Sequence, residues 1–291
     1  MTLRYAYNTN GLQNHRLEHA LELVARAGYD GVALTLDIHH LDPLAPDLEG
    51  RARCVRDRLR RLGLASVIET GARFLLDPWV KHEPTLISAS GRGRRVEFLR
   101  RAVDAAAVLE SEAVSFWAGV PRGVQPDWAW ARLAEGAAEV AAYARQCGVR
   151  AALEPEPGML VQTLTDWKRA RALVGETLGL ALDVGHLLVT GEGEPAEVIA
   201  AHAHELTTVT VEDMRRGEHV HLPFGDGDLD LPATLGALEA ISWRGLVCVE
   251  LSRDSHRAPE MVPTALAALR EAGWGAALPD RDRSPAAATL R

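Results

Sequence analysis

Short apolar runs alternate along this chain with longer stretches in which apolar residues recur every third or fourth position, the respective spacings of strands and of amphipathic helices. The run LRYAYNTN alternates from Leu3 and meets an Asn-Gly turn, and the helix behind it carries a stripe of Leu17, Leu21 and Val24 that stops at Gly28. A second strand, GVALTLD, ends at Asp37 before a His39-His40 loop with prolines. A basic helix from Arg51 to Arg61 stops at Gly63, and LASVIETG makes a third strand. Residues 72–91 break this rhythm with an aromatic, proline-bearing stretch, longer than most connections and therefore expected to act as a lid or substrate wall.

The alternation then resumes. A helix from Arg94 to Leu109 precedes AVSFWAGVP, whose strand ends at Trp117, and a helix from Trp128 to Cys147 precedes RAALEPEPG. A short helix from Thr165 to Val174, with Thr165 as its N-cap, leads to LALDVGH. Helix Pro195 to His204, strand LTTVTVED, helix Leu231 to Ile241, strand GLVCVELS and a last helix from Pro259 to Ala272 complete the series. Eight strand-then-helix units predict an α/β protein, a single (β/α)8 barrel over residues 1–278. Residues 279–291, polar and rich in Pro and Ala, read as a flexible tail.

Composition narrows the function. A hydrophobic share of 47% and a charged share of 25% are ordinary for a globular chain with a substantial core. A net charge of −8 argues against a nucleic-acid partner, which needs a basic face to neutralise phosphates. Cys54, Cys147 and Cys248 are scattered, and an odd count suits a reducing compartment. No charged-then-apolar leader pattern opens the sequence and no apolar run approaches the roughly 20 residues a bilayer requires, so we expect a cytoplasmic protein that does not engage a membrane. Self-association is left open.

Four apolar runs end in carboxylates: Glu154, Asp183, Glu212 with Asp213, and Glu250. In a barrel those strand ends converge on one mouth, where several acids would repel unless a cation joins them. His186 follows Asp183 by three residues, and EHVHLPFGDGDLD adds His219 and His221 on a loop. A mixed oxygen and imidazole set favours manganese or zinc, with magnesium, cobalt or iron next. The competing expectation is that each acid pairs with an arginine such as Arg73 or Arg253. The other histidines lack such a context.

The ordered set ALEPEPG, LALDVGH, VTVEDM, HLPFGDGDLD and CVEL resembles the xylose isomerase-like TIM barrel superfamily, which holds sugar isomerases and epimerases, inosose dehydratases and endonuclease IV-like enzymes. The resemblance is good from strand five to strand eight and rests on rhythm alone before that. It implies Glu154, Asp183 and Glu250 as metal ligands and His186 as a residue touching substrate. One departure stands out: relatives carry histidine on strand seven where this chain has Thr210, and a hydroxyl is a poor substitute for imidazole. In the nuclease branch the positions of His186, His219 and His221 bind zinc, so an imidazole set of those three is a second arrangement.

The resemblance thus implies a divalent-metal-dependent isomerase or epimerase of a sugar, ketose or related polyol, with Glu154 and Glu250 moving a proton beside a metal-bound carbonyl. A lyase such as inosose dehydratase is a close variant. Trp117, Arg73, Glu156 and Arg216 are further candidates for holding substrate. The alternatives are a metal-dependent phosphodiesterase of the endonuclease IV type and a barrel that binds a metabolite without catalysis. Strands three and four lack the nuclease branch's histidines, and Thr210 is the best argument for the inactive barrel.

Overall fold

The computed structural model describes residues 2–276; the tail expected at 279–291 lies outside them. Eight parallel strands close into a barrel: β1 (Arg4–Asn8), β2 (Gly31–Thr35), β3 (Ala65–Glu69), β4 (Val114–Trp117), β5 (Ala151–Glu154), β6 (Leu178–Asp183), β7 (Leu206–Val211) and, after a two-stranded hairpin of β8 (Asp213–Arg215) and β9 (Glu218–Leu222), β10 (Leu246–Val249). Around the ring the order is β1, β10, β7, β6, β5, β4, β3, β2. The expected (β/α)8 barrel is present.

The helices are α1 (Leu17–Ala27), α2 (Leu48–Leu62), α3 (Arg92–Leu109), α4 (Pro126–Gln146), α5 (Leu164–Val174), α6 (Val184–Thr190), α7 (Pro195–Ala201), α8 (Leu231–Ala240) and α9 (Ala258–Ala276). Gly28 and Gly63 end α1 and α2 in the left-handed conformation that glycine adopts without strain. Among the described residues, no helix is long and apolar enough to cross a membrane.

Four local expectations are corrected. The N-cap of α5 is Thr163, not Thr165: its hydroxyl accepts the Asp166 N–H and Asp166 returns the bond, a reciprocal capping box. The second strand stops at Thr35, and Asp37 sits in the turn beyond, accepting the Ile38 N–H at 2.7 Å. Helix α7 ends at Ala201, and the His202 ring packs on Trp167 instead of extending the helix. His219 and His221 lie on β9, not on an irregular loop; alternation places both rings on one side of that strand.

The strand register separates two cores. Ala6, Ala33, Val67, Leu246 and Cys248 form a small cluster of their own, and their pairing places them on the inner face of the barrel. The much larger cluster, with Trp167, Phe98, Phe116 and many leucines fully buried, fills the layer between sheet and helices. Alternation carries the inner face upward to Asn8, Thr35, Glu69, Trp117, Glu154, Asp183 and Glu250 at the C-terminal ends of seven strands.

Candidate active site

These strand tips wall a cavity of ≈ 190 Å³, smaller than the roughly 300–1,000 Å³ of drug-sized pockets. Of the sequence-predicted residues, Arg73, Trp117, Glu154, Glu156, Asp183, His186, His219, His221 and Glu250 line it. Arg216 does not. It stands exposed at the hairpin turn, where its guanidinium grips both Glu194 oxygens at 2.7 and 3.0 Å, so the expectation that it touches substrate is corrected. The competing expectation of acid–arginine pairing also fails: among the described residues, neither Arg73 nor Arg253 forms an ion pair with Glu154, Asp183 or Glu250.

Asp183 has two jobs on two oxygens. Its Oδ1 accepts the Gly185 and His186 amides at 2.8 and 3.2 Å, which caps α6 and turns the chain sharply at the strand end. Its Oδ2 is buried and has no hydrogen-bond partner among the described residues. The helix start places His186 with Nδ1 2.9 Å from the Pro155 carbonyl, so Nδ1 carries a proton and Nε2 faces the cavity. That Nε2 lies 3.2 Å from His219 Nε2, 3.6 Å from Asp183 Oδ2 and 3.8 Å from Glu156 Oε2.

Crowding shows in the acidities. Burial pushes Glu154 well above the usual carboxylate range, and Glu156, Asp183 and Glu250 add to this. Burial also raises Glu156. Burial and Asp183 raise Glu250 to about 7, held back by hydrogen bonds from Asn10 and Asn8. Burial disfavours a protonated His186, but Asp183 and Glu156 outweigh it and the net shift is upward. Burial and His186 lower His219 to about 4, and burial lowers His221, so both are neutral imidazoles with a lone pair to offer at pH 7.

Several site residues escaped the sequence. Asn8 Nδ2 and Asn10 Nδ2 donate to Glu250 at 3.2 and 2.8 Å. Thr35 and Glu69 complete a polar wall beside them, and burial with nearby Glu250 raises Glu69 to about 8. Glu69 ends an apolar run as Glu154 does, so its signal was present; Asn8 and Thr35 resemble ordinary strand-end residues. Glu212, just beyond the end of β7, is wholly enclosed and does not line the cavity, and among the described residues neither of its oxygens has a hydrogen-bond partner. His82, whose ring packs 4.9 Å from Trp117, comes from the 72–91 stretch and lines the cavity, in keeping with that stretch acting as a wall.

The residues present suit a divalent cation. Glu154, Asp183 and His186 offer donor atoms within 4.8 Å of one another, and so do Glu156, His186 and His219. Asp183 Oδ2, both Glu212 oxygens and His221 Nδ1 are buried polar atoms with no hydrogen-bond partner among the described residues, and buried polar groups are costly unless something satisfies them.

The family model described as xylose isomerase-like TIM barrel matches residues 21–272. Among curated proteins, a rhizopine catabolism protein of Rhizobium meliloti is 26% identical over 146 residues, 44% of this chain and 45% of that protein. Inosose dehydratase of Clostridium perfringens is 29% identical over 143 residues, 43% of this chain and 48% of that enzyme. The chain thus spans about half the length of the curated relatives it matches. Solved structures agree over nearly the whole chain: D-allulose 3-epimerase from Methylomonas sp. superposes with a TM-score of 0.73 at 19% identity, covering 93% of this chain and 98% of that one. L-ribulose 3-epimerase gives 0.74 at 20% identity, covering 94% and 96%. At these identities the likeness establishes the fold.

Proposed function

Because this chain belongs to the xylose isomerase-like TIM barrel family, we propose that it is an isomerase or epimerase of a small sugar, ketose or polyol that works with a divalent cation, manganese or zinc before magnesium, cobalt or iron. The observation that carries this reading is the convergence of Glu154, Asp183 and Glu250 on one small polar cavity, with no guanidinium partner among the described residues. Glu154, Asp183 and Glu250 would hold the cation, with imidazole from the His186, His219 and His221 side. Such an ion, when bound, polarises a carbonyl and acidifies the neighbouring C–H.

The protein's own groups then move the proton. β5 and β10 stand three positions apart on the ring of eight, so Glu154 and Glu250 reach toward substrate from well-separated sides. One carboxylate can remove a proton from one face of a bound carbon while the other returns one to the opposite face. Glu250 is suited to the basic role, since it lines the cavity with its carboxylate held in place by the Asn8 and Asn10 amides. Trp117 and His82 close the apolar side, while His186, Glu156 and, at the rim, Arg73 are placed to grip hydroxyls.

A second reading, elimination of water from a keto-polyol, is favoured by Glu69. A neutral carboxyl on the cavity wall could protonate a departing hydroxyl, and the partial match to inosose dehydratase points the same way. Phosphodiester hydrolysis draws less support, because the tips of β3 and β4 carry Glu69 and Trp117 rather than imidazoles.

The test is elemental analysis of the purified protein, followed by incubation of ketoses and inososes in deuterated water. Bound divalent metal with deuterium entering at the carbon beside the carbonyl is the expected result, and loss of water by mass would select the lyase. A metal-free protein that exchanges no substrate proton would refute both readings and leave a metabolite-binding barrel.

A further inference from the structure

Thr210 faces the barrel axis next to Asp183, its register partner on β6, and to Cys248, its partner on β10. Its side chain ends in a hydroxyl, so strand seven provides no imidazole at the cation position. Two residues further on, the same face presents Glu212. The chain then turns back in the β8–β9 hairpin, and Asp213 ties that hairpin down by accepting the Gly225 and Leu229 amides at 2.8 and 2.9 Å. The hairpin returns His221 to the mouth.

The His221 ring stands between two carboxyl groups, just outside hydrogen-bond distance of each. Its Nδ1 lies 4.0 Å from Glu212 Oε1, and its Nε2 lies 4.0 Å from Glu250 Oε1. Glu212 is 0% exposed and does not reach the cavity, whereas Glu250 lines it. Among the described residues, both Glu212 oxygens and His221 Nδ1 are buried without a hydrogen-bond partner, and Asp183 is the charged neighbour acting most strongly on Glu212. Gly185 is needed for this arrangement, since a Cβ there would stand 2.3 Å from Glu212 Oε1. A ring with one nitrogen toward an enclosed carboxylate and the other toward the cavity is how metal-binding imidazoles are commonly oriented: the inner carboxylate takes the N–H and fixes the tautomer that leaves the outer lone pair free.

We propose that His221, oriented by Glu212, takes the place of the strand-seven imidazole that Thr210 lacks and binds the divalent cation together with Glu154, Asp183 and Glu250. The inference rests on the metal-dependent reading above and specifies how this chain completes the shell. It assigns His221 as ligand and Glu212 as a positioning residue. The ligand replacement is by an element distant in sequence, reached through the hairpin rather than along the strand.

The experiment titrates Co²⁺ into the metal-stripped full chain and follows stoichiometry, affinity and the visible spectrum of the bound ion. His221→Ala should weaken binding at least tenfold and alter the spectrum. Adding Thr210→His to that variant should restore affinity and a spectrum with the same number of nitrogen donors. Glu212→Gln should keep the stoichiometry but weaken binding by about 10- to 100-fold, the usual effect of losing such an orienting carboxylate. In the Co²⁺ form, proton NMR should show a strongly shifted exchangeable imidazole proton that His219→Ala retains and His221→Ala loses, a readout that holds if one substitution harms folding. Unchanged affinity and spectrum in His221→Ala would overturn this assignment while leaving the metal-dependent reading intact. Absence of Co²⁺ binding by the unmodified chain would overturn both.

Discussion

The Thr35 hydroxyl stands 2.7 Å from Glu69 Oε2 on the wall of the cavity, and it has a single proton to give. Asn8 Oδ1 lies 2.9 Å from the same hydroxyl. That amide's orientation is fixed, because its oxygen also accepts the Asn10 backbone N–H at 3.1 Å. The one Thr35 proton is therefore shared between Asn8 Oδ1 and Glu69 Oε2. Burial and the nearby Glu250 carboxylate keep Glu69 protonated at pH 7, against the Thr35 and Gly71 hydrogen bonds, which favour its ionised form. Infrared spectra at pH 7 should contain the carbonyl stretch of a protonated carboxylic acid that Glu69→Gln removes and Thr35→Val shifts. Identical spectra from Glu69→Gln and the unmodified protein would show that the proton is not there.

The same group sets a pH dependence of stability in the metal-free protein. Glu69 loses its proton near 4.5 ordinarily and only at about 8 in the fold. Between those values the folded form binds the proton that the unfolded form has released, so its contribution is fully present below about 4.5 and declines until about 8. The slope for one such group is at most about 1.4 kcal/mol per pH unit. Urea denaturation at pH 5 and pH 8 should give a larger loss of stability for the unmodified protein than for Glu69→Gln. Equal losses would mean that Glu69 titrates normally.

Arg95 shows how the long wall is held. Its buried guanidinium donates to the Pro84 carbonyl at 2.8 Å and the His82 carbonyl at 2.7 Å, and it lies 4.7 Å from the Trp117 ring. Burial draws its pKa down to about 10, which leaves it charged at pH 7. Arg95→Met removes both donors and strands two carbonyls, a loss of about 2–4 kcal/mol. Limited proteolysis should then cut within residues 72–91 faster than in the unmodified protein. Unaltered cleavage and stability would show that the stretch is held by other contacts.

The carboxylates on β5, on β6 and after β10 were legible because an acid that ends a buried apolar run has few bland explanations, and the barrel rule carries such ends to one place. The first three strands were harder. Asn8 and Thr35 are the residues that ordinary turns and strand ends also use, so nothing local sets them apart until Glu250 is seen across the seam between β1 and β10. Glu212 was visible at the end of its run, but its part depends on a hairpin whose folding back over the mouth no local pattern announces. Arg216 misled for the opposite reason: it neighbours the site in sequence, and Glu194 draws it outward. Arg95 sits in GRGRRVEF, which reads as an exposed basic helix start, yet it is 3% exposed.

Glu250 gives the sharpest test of the proposed chemistry. Glu250→Gln keeps the volume and much of the hydrogen bonding to Asn8 and Asn10 but cannot take up a proton, so turnover of whichever substrate the exchange screen identifies should fall by about 10²–10⁴-fold. The melting temperature should not fall, because a crowded carboxylate has been removed. Asn10→Ala is the graded counterpart: it deletes the 2.8 Å bond that favours the ionised form, which raises the affinity of Glu250 for its proton relative to the unmodified protein. The base must be ionised to act, so the rising limb of the pH–rate profile should move to higher pH, with activity lost at pH 7 and recovered on the alkaline side. A uniform loss at all pH values would assign Asn10 to substrate binding, and near-normal turnover by Glu250→Gln would remove Glu250 from the proton path.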